Sequence, residues 1–290
     1  MKNFFKLVLI VSAIFFSIYI GLFTRNKSLV PTPSKAATSI SYQQDIAYGP
    51  NSKQKLDLCK PANLTNKVPG VILIHGGGGD KSQHTSQCKD LARNGFVTIT
   101  VNYREDPPPT WQVVLPDNEL ALSWLMQYNN VDEARIGAMG GSQGGYVASM
   151  MGTKDDIDKV ECVVNNFGPT DFTDPDEWGN SAFIDDSVQK FFGGVTYDED
   201  PDLYAELSPI THVTSNDAQD WLFTRSTNDH LIPKTQMTKM MSALNNVGVK
   251  TEFYEYNGSG SGHANKLGPF KALQLYNKRI NFLTNCLNGL

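Results

Sequence analysis

The sequence has no surplus of positive charge: 25 lysines and arginines face 30 aspartates and glutamates. A nucleic-acid binder needs a basic footprint, so that class is excluded. No CxxC pair and no Cys/His spacing of the metal-site kind occurs, and no metal or cofactor is expected. There is no G-K-[ST], and no G-x-G-x-x-G opening a helix, which removes the phosphate-binding glycine loops. Glycine (24) and proline (15) are near average, which excludes collagen-like and low-complexity chains. Acids are missing from the first forty residues, which hold Lys2, Lys6, Arg25, Lys27 and Lys35. The remainder keeps 20 basic against 30 acidic residues, a net charge of −10.

That opening stretch reads as an export segment. Lys2 and Lys6 make a positive start, and an apolar run follows from Leu7 to Phe23. Its length is close to the minimum that crosses a bilayer. Residues 1–25 are expected to be a signal peptide or an uncleaved membrane anchor. No small-x-small cleavage site follows at once, and Ser34-Lys35-Ala36 fits one only far downstream. Residues 26–40, with Pro31 and Pro33, read as a linker, and 41–290 as the folded body, placed outside the cytoplasm. Membrane attachment through residues 7–23 goes with the anchor reading. Four cysteines, Cys59, Cys88, Cys162 and Cys286, fit an oxidising compartment. Of the three pairings, the one with Cys59–Cys88 is favoured, because both fall in the N-terminal half near expected element ends.

From residue 43 onward, short apolar runs alternate with amphipathic stretches. Leu56–Leu58, Val71–Ile74, Phe96–Val101, Ile136–Met139, Val160–Val164, Leu222–Phe223 and Thr251–Tyr256 read as strands. Leu120, Ala121, Trp124 and Leu125 fall on one helical face, as do Met237, Met240, Met241 and Leu244, and Phe270–Leu287 reads as a closing helix. The methionine stripe is read as core. This rhythm predicts one α/β domain with a mostly parallel sheet and helices on both faces.

Residues 172–206 break the rhythm. They carry ten acids against Lys190 alone, interleaved with aromatics, and show no strand. Such a stretch between strands is read as a lid or binding loop whose acids repel anionic substrates, the alternative being a solvated surface excursion whose aromatics pack onto the domain. A calcium loop would need a regular oxygen spacing that is missing here.

The central chemical feature is Gly140-Gly141-Ser142-Gln143-Gly144, a G-x-S-x-G between an expected strand and an expected helix. Such a junction needs a tight turn, which glycine at both flanks allows. A serine hydroxyl needs a base, and the base an orienting acid. Of the five histidines, His263 follows the Thr251–Tyr256 strand in a glycine-serine loop. Asp229 follows the Leu222–Phe223 strand. Both therefore emerge at carboxyl ends of strands, where parallel-sheet sites form. His230 and His84 are weaker rivals for the base, His84 being expected in an exposed loop, and Asp171 and Asp174 for the acid. His75-Gly76-Gly77-Gly78-Gly79 follows the Val71–Ile74 strand, and its N–H groups, with that of Gln143, can converge on one oxyanion.

These stretches, with Asn102-Tyr103-Arg104, Asp117, Gly168-Pro169-Thr170-Asp171 and Ser208-Pro209, resemble the α/β-hydrolase superfamily of the esterase/lipase (carboxylesterase) type over about residues 55 to 265. The resemblance implies an α/β-hydrolase fold and serine-hydrolase chemistry. Ser142 would be nucleophile, His263 base and Asp229 acid, with oxyanion donors at Gly77, Gly78 and Gln143. The expected substrate is a small-molecule or polymer ester. Two departures concern the pocket: Gly79-Asp80 replaces the family's frequent aromatic, and Glu105-Asp106-Pro107-Pro108-Pro109 is not the usual continuation of Asn102-Tyr103-Arg104. The rival readings are a serine peptidase acting on short peptides and a non-catalytic hydrolase-like binding protein. The complete triad counts against the second.

Overall fold

The computed structural model describes residues 39–105, 109–155, 160–178, 182–258, 263 and 267–289. The expected export segment and nearly all of the expected linker lie outside the described residues.

Eight strands form one sheet in the order β1-β2-β4-β3-β5-β6-β7-β8. They are β1 (Ile40–Ala47), β2 (Lys55–Pro61), β3 (Val68–Ile74), β4 (Val97–Val101), β5 (Val131–Gly141), β6 (Cys162–Asn166), β7 (Asp220–Ser226) and β8 (Lys250–Tyr256). The β1–β2 and β2–β4 pairs are antiparallel; every pairing from β4 to β8 is parallel. The helices are α1 (Thr85–Arg93), α2 (Trp111–Met126), α3 (Gln143–Thr153), α4 (Ala182–Phe191), α5 (Pro201–Glu206), α6 (Lys234–Asn246) and α7 (Pro269–Asn288).

The sheet is covered on both faces, and the period of two along β3 shows it. Ile72 and Ile74 join the apolar cluster beneath α2, α3 and α6; Val71 and Leu73 join the one beneath α1 and α7. Parallel strands buried on both sides must read as continuous apolar runs, which is why they were visible in the sequence. Met237, Met240 and Leu244 are buried in the first cluster, so the methionine stripe is core.

Three details differ from expectation. β1 opens at Ile40, the last residue assigned to the linker. On α2 the buried face runs through Val114, Asn118, Ala121, Leu122 and Leu125, which leaves Leu120 exposed, lying instead near Gly49 and Gln54. α1 was not anticipated; it is a nine-residue helix that buries only Cys88, Leu91 and Ala92 on one side.

Two disulfides tie helices to the sheet. Cys59–Cys88 joins β2 to α1, with Cα atoms 5.6 Å apart, and is the favoured pairing. Cys162–Cys286 joins β6 to α7, 6.4 Å apart across 124 residues of chain. Closing a loop removes unfolded-state entropy that grows with loop length. Cys162→Ser with Cys286→Ser is expected to cost about 3 kcal/mol and to lower Tm by roughly 6–12 °C. The Cys59/Cys88 double variant, whose loop spans 29 residues, should cost about 1 kcal/mol less. Thermal melts of the two variants, unreduced, check the order; equal and negligible shifts would remove the bridges from the stability account.

Between β6 and β7, residues 172–206 hold no strand among the described residues, but two helices, α4 and α5. Ser208 closes the base of this excursion: its hydroxyl accepts from the Phe172 N–H (2.8 Å) and donates to the Tyr204 carbonyl (2.7 Å).

Candidate active site

β5 ends at Gly141 and α3 begins at Gln143, so one residue turns the chain from sheet to helix. That residue is Ser142, at φ 55° and ψ −125°. A non-glycine side chain in this region is strained and persists only where its surroundings fix it. The Ser142 N–H donates to the Asn166 carbonyl (2.9 Å). The Asn166 amide donates to the Gly140 carbonyl (2.8 Å) and accepts from the Thr224 hydroxyl (2.7 Å). Ends of β6 and β7 thus hold the turn from beneath. The flanking glycines are demanded by contact: a Cβ at Gly140 would stand 2.1 Å from the Gly144 carbonyl oxygen, and one at Gly144 2.2 Å from that of Ile74.

Asp229 lies just beyond β7 and is buried. One carboxylate oxygen accepts from the N–H groups of Leu231 (3.0 Å) and Ile232 (3.1 Å). The other accepts from Nδ1 of His263 at 3.1 Å. Burial works to raise the Asp229 pKa, but the His263 contact and the two N–H groups outweigh it and hold the carboxyl below its usual range. The loop is clamped by Arg225, a buried guanidinium that donates to the Asp229 carbonyl (3.1 Å) and to Glu255 on β8 (2.7 Å). With Nδ1 donating to the acid, the other ring nitrogen of His263 is left as an acceptor. It is buried with no partner among the described residues. The Phe167 ring packs edge-on against the imidazole, centroids 4.7 Å apart.

The rival residues are placed elsewhere. His230 is exposed. His84, expected in solvent, is only part-exposed, and burial pushes its imidazole down to about 4. Asp171 accepts from Thr173 and pairs with Lys239, as does Asp174.

Beyond β3 the chain makes the His75–Gly79 turn. The Tyr103 hydroxyl donates to the His75 carbonyl (2.8 Å), and the two rings stack with centroids 4.2 Å apart. Burial, opposed mainly by a hydrogen bond to the Gly76 carbonyl, lowers the His75 imidazole below its ordinary value. Gly77 lies against the Gln143 side chain: a Cβ there would be 2.6 Å from Oε1. Gln143 is the first residue of α3, so its N–H has no acceptor within the helix. Gly78 differs from expectation. Its N–H donates to both carboxylate oxygens of Glu105, at 3.0 and 3.1 Å. Asp117, with Arg104 on it in a fork (2.6 and 2.9 Å), holds the neighbouring loop and is not among the residues lining the cavity.

Ser142, Gln143, His263, Gly77 and Gly78 all line one cavity of about 460 Å³. The rest of the lining is largely apolar, with Tyr146, Phe172, Val188, Phe191 and Ile232. The acidic stretch contributes Phe172, Ser187, Val188, Lys190 and Phe191, and among the described residues none of its acids. Several of those acids have partners of their own: Glu177 pairs with Lys239, Glu199 accepts from Thr196, Asp200 caps α5, and Asp186 pairs with Lys190. Among the described residues, the cavity wall therefore carries none of the expected screen of negative charge.

The BD-FAE family model matches residues 56–244. Esterase LipC of Mycobacterium tuberculosis is 26% identical over 246 residues, 76% of this chain and 60% of that protein. Probable carboxylic ester hydrolase LipM of the same organism is 25% identical, over 74% of this chain and 54% of its own length. The chain thus spans little more than half the length of these curated relatives. Among solved structures, a truncated carbohydrate esterase from gut microbiota superposes with a TM-score of 0.69 at 21% identity, covering 88% of this chain and 99% of the other. Esterase B from Lactobacillus rhamnosis superposes with a TM-score of 0.68 at 19% identity, covering 88% of each. The chain is a member of the BD-FAE family and has the α/β-hydrolase fold.

Proposed function

We propose that this protein is a serine hydrolase that cleaves carboxylic esters through an acyl-enzyme on Ser142. The observation that carries the reading is one cavity lined by a strained serine, by a histidine whose far nitrogen is on Asp229, and by a glycine turn. His263 takes the Ser142 proton as the hydroxyl attacks the ester carbonyl. The N–H groups of Gly77 and Gln143 stabilise the tetrahedral oxyanion, helped by the N-terminal end of α3. His263 then protonates the leaving alcohol and activates the water that releases the acid. Esters are favoured over short peptides because no carboxylate lines the cavity, among the described residues, to pair with a free α-ammonium. Export, with the two disulfides formed in an oxidising compartment, completes the reading.

A panel of nitrophenyl esters from acetyl to palmitoyl, offered to residues 40–290, tests the activity. Turnover of the esters with none of matched peptide anilides is the expected result; the reverse pattern would make the protein a peptidase.

The cavity wall also changes the expected response to charge. Among the described residues its one lysine is Lys190, paired with Asp186 across one helical turn at 2.6 Å, and both are more than half exposed. Such a pair nearly cancels in water. Neutral and anionic esters of matched size should therefore have kcat/KM values within about threefold. Asp186→Asn frees the lysine, and the anionic ester should gain a few-fold at low salt, less at physiological salt. An anionic ester strongly disfavoured in the unaltered protein would restore the acidic screen.

A further inference from the structure

Glu105 is the residue at which the sequence leaves the family pattern after Asn102-Tyr103-Arg104, and its carboxylate sits on the N–H of Gly78. Along this run the contacts alternate. Tyr103 turns to the glycine turn and holds the His75 carbonyl; Arg104 turns away to buried Asp117, which Gln54 also holds (2.7 Å); Glu105 turns back to Gly78. The run therefore grips the turn at two points, His75 and Gly78, from a base fixed by Arg104 and Asp117. Within the turn the Gly79 N–H donates to the Gly76 carbonyl at 3.0 Å; the Glu105 bond ties the tip to the rest of the molecule. Gly78 has φ +71°, and open space surrounds the place where its Cβ would be. Nothing packs there, so hydrogen bonding rather than contact sets the tip's position.

We propose that Glu105 is a positioning residue of the oxyanion turn, whose hydrogen bond to Gly78 orders the donors and whose negative charge holds back the rate. This rests on the reading of the Gly77 and Gln143 N–H groups as oxyanion donors. Gly77 is bonded directly to Gly78, so fixing Gly78 fixes the plane of the peptide next to Gly77. The charge acts separately. Negative charge on the substrate oxygen develops only in the transition state, so a neighbouring carboxylate opposes kcat and leaves ground-state binding nearly alone. The carboxylate is one residue from the Gly77 donor, and like charges repel even where water screens them.

The two roles separate by substitution. Glu105→Gln keeps an acceptor oxygen for the Gly78 N–H and removes the charge. Glu105→Ala removes both. The expected order of kcat on a neutral nitrophenyl ester is Gln above the unaltered protein and Ala below it: about 3–10-fold up for Gln and about 10-fold down for Ala, with KM within about twofold. The rate of labelling by a fluorophosphonate, which also builds negative oxygen at the site, should move in the same order. Thermal melts accompany both variants, and if Glu105→Ala fails to fold, the gain in Glu105→Gln decides alone. Gln and Ala both indistinguishable from the unaltered protein, or both lowered alike, would overturn the proposal. If the unaltered protein shows no Ser142-dependent turnover or labelling, the active-site reading itself falls and takes this proposal with it. If the unaltered protein is active and the variants are unresponsive, only the role of Glu105 falls.

Discussion

Ser142→Ala is expected to lower ester turnover by about 10⁴-fold or more and to abolish labelling by a fluorophosphonate. The substitution removes one oxygen and leaves Cβ where it was, so the backbone strain at φ 55° is the same for both residues. The bonds that hold the turn are made by backbone at this position: the Ser142 N–H to Asn166, and the Ser142 carbonyl from the Tyr146 N–H at 3.0 Å. Neither is lost. Tm should therefore stay within about 2 °C of the unaltered protein. What remains of the rate should come from binding and the oxyanion donors, which work without a nucleophile on the protein. Retained labelling in a folded Ser142→Ala variant would move the nucleophile elsewhere and end the triad reading.

The parts of this site that were legible in the sequence are those with a local signature. A strand, two glycines, a serine and a helix stand in unbroken order around Ser142, so the turn follows from spacing alone. Asp229 and His263 are legible because each lies in the loop that follows a strand's carboxyl end, and a parallel sheet brings those ends to one edge. The Cys59–Cys88 bridge was favoured for a similar reason of nearness in the chain. What the sequence concealed was direction and distance. The acids of residues 172–206 outnumber its cations ten to one. Composition does not say that α4 brings Val188, Lys190 and Phe191 to the cavity, and that several of the acids cap turns or pair with Lys239. The Glu105–Gly78 contact joins residues 27 apart with no periodicity linking them. α1 was missed because its apolar stripe is only three residues long and is held down by a disulfide, which hydrophobic periodicity does not register.

Asp229→Asn should cost nearly as much as loss of the nucleophile, although it changes one atom. In the unaltered protein one Asp229 oxygen takes two backbone N–H groups, from Leu231 and Ile232, and the other takes Nδ1–H of His263. An asparagine must keep its carbonyl oxygen toward the two backbone donors, because its NH2 cannot accept from them. The NH2 then faces Nδ1 of His263 and donates to it. The imidazole is forced to carry its proton on the nitrogen directed away from the acid, which can no longer take one from Ser142. The expected loss in kcat at neutral pH is about 10⁴-fold, with KM little changed and the fold intact. A second readout follows from the lowered pKa of Asp229. Its folded value lies below the unfolded one, so its ionised form contributes stability that is present above the unfolded pKa and is lost as pH falls through the folded value. Asparagine does not titrate, so the fall of Tm on acidification below about pH 4 should be shallower in the variant. A kcat within tenfold of the unaltered protein at neutral pH would mean that Asp229 does not orient His263, whatever their separation in the structure.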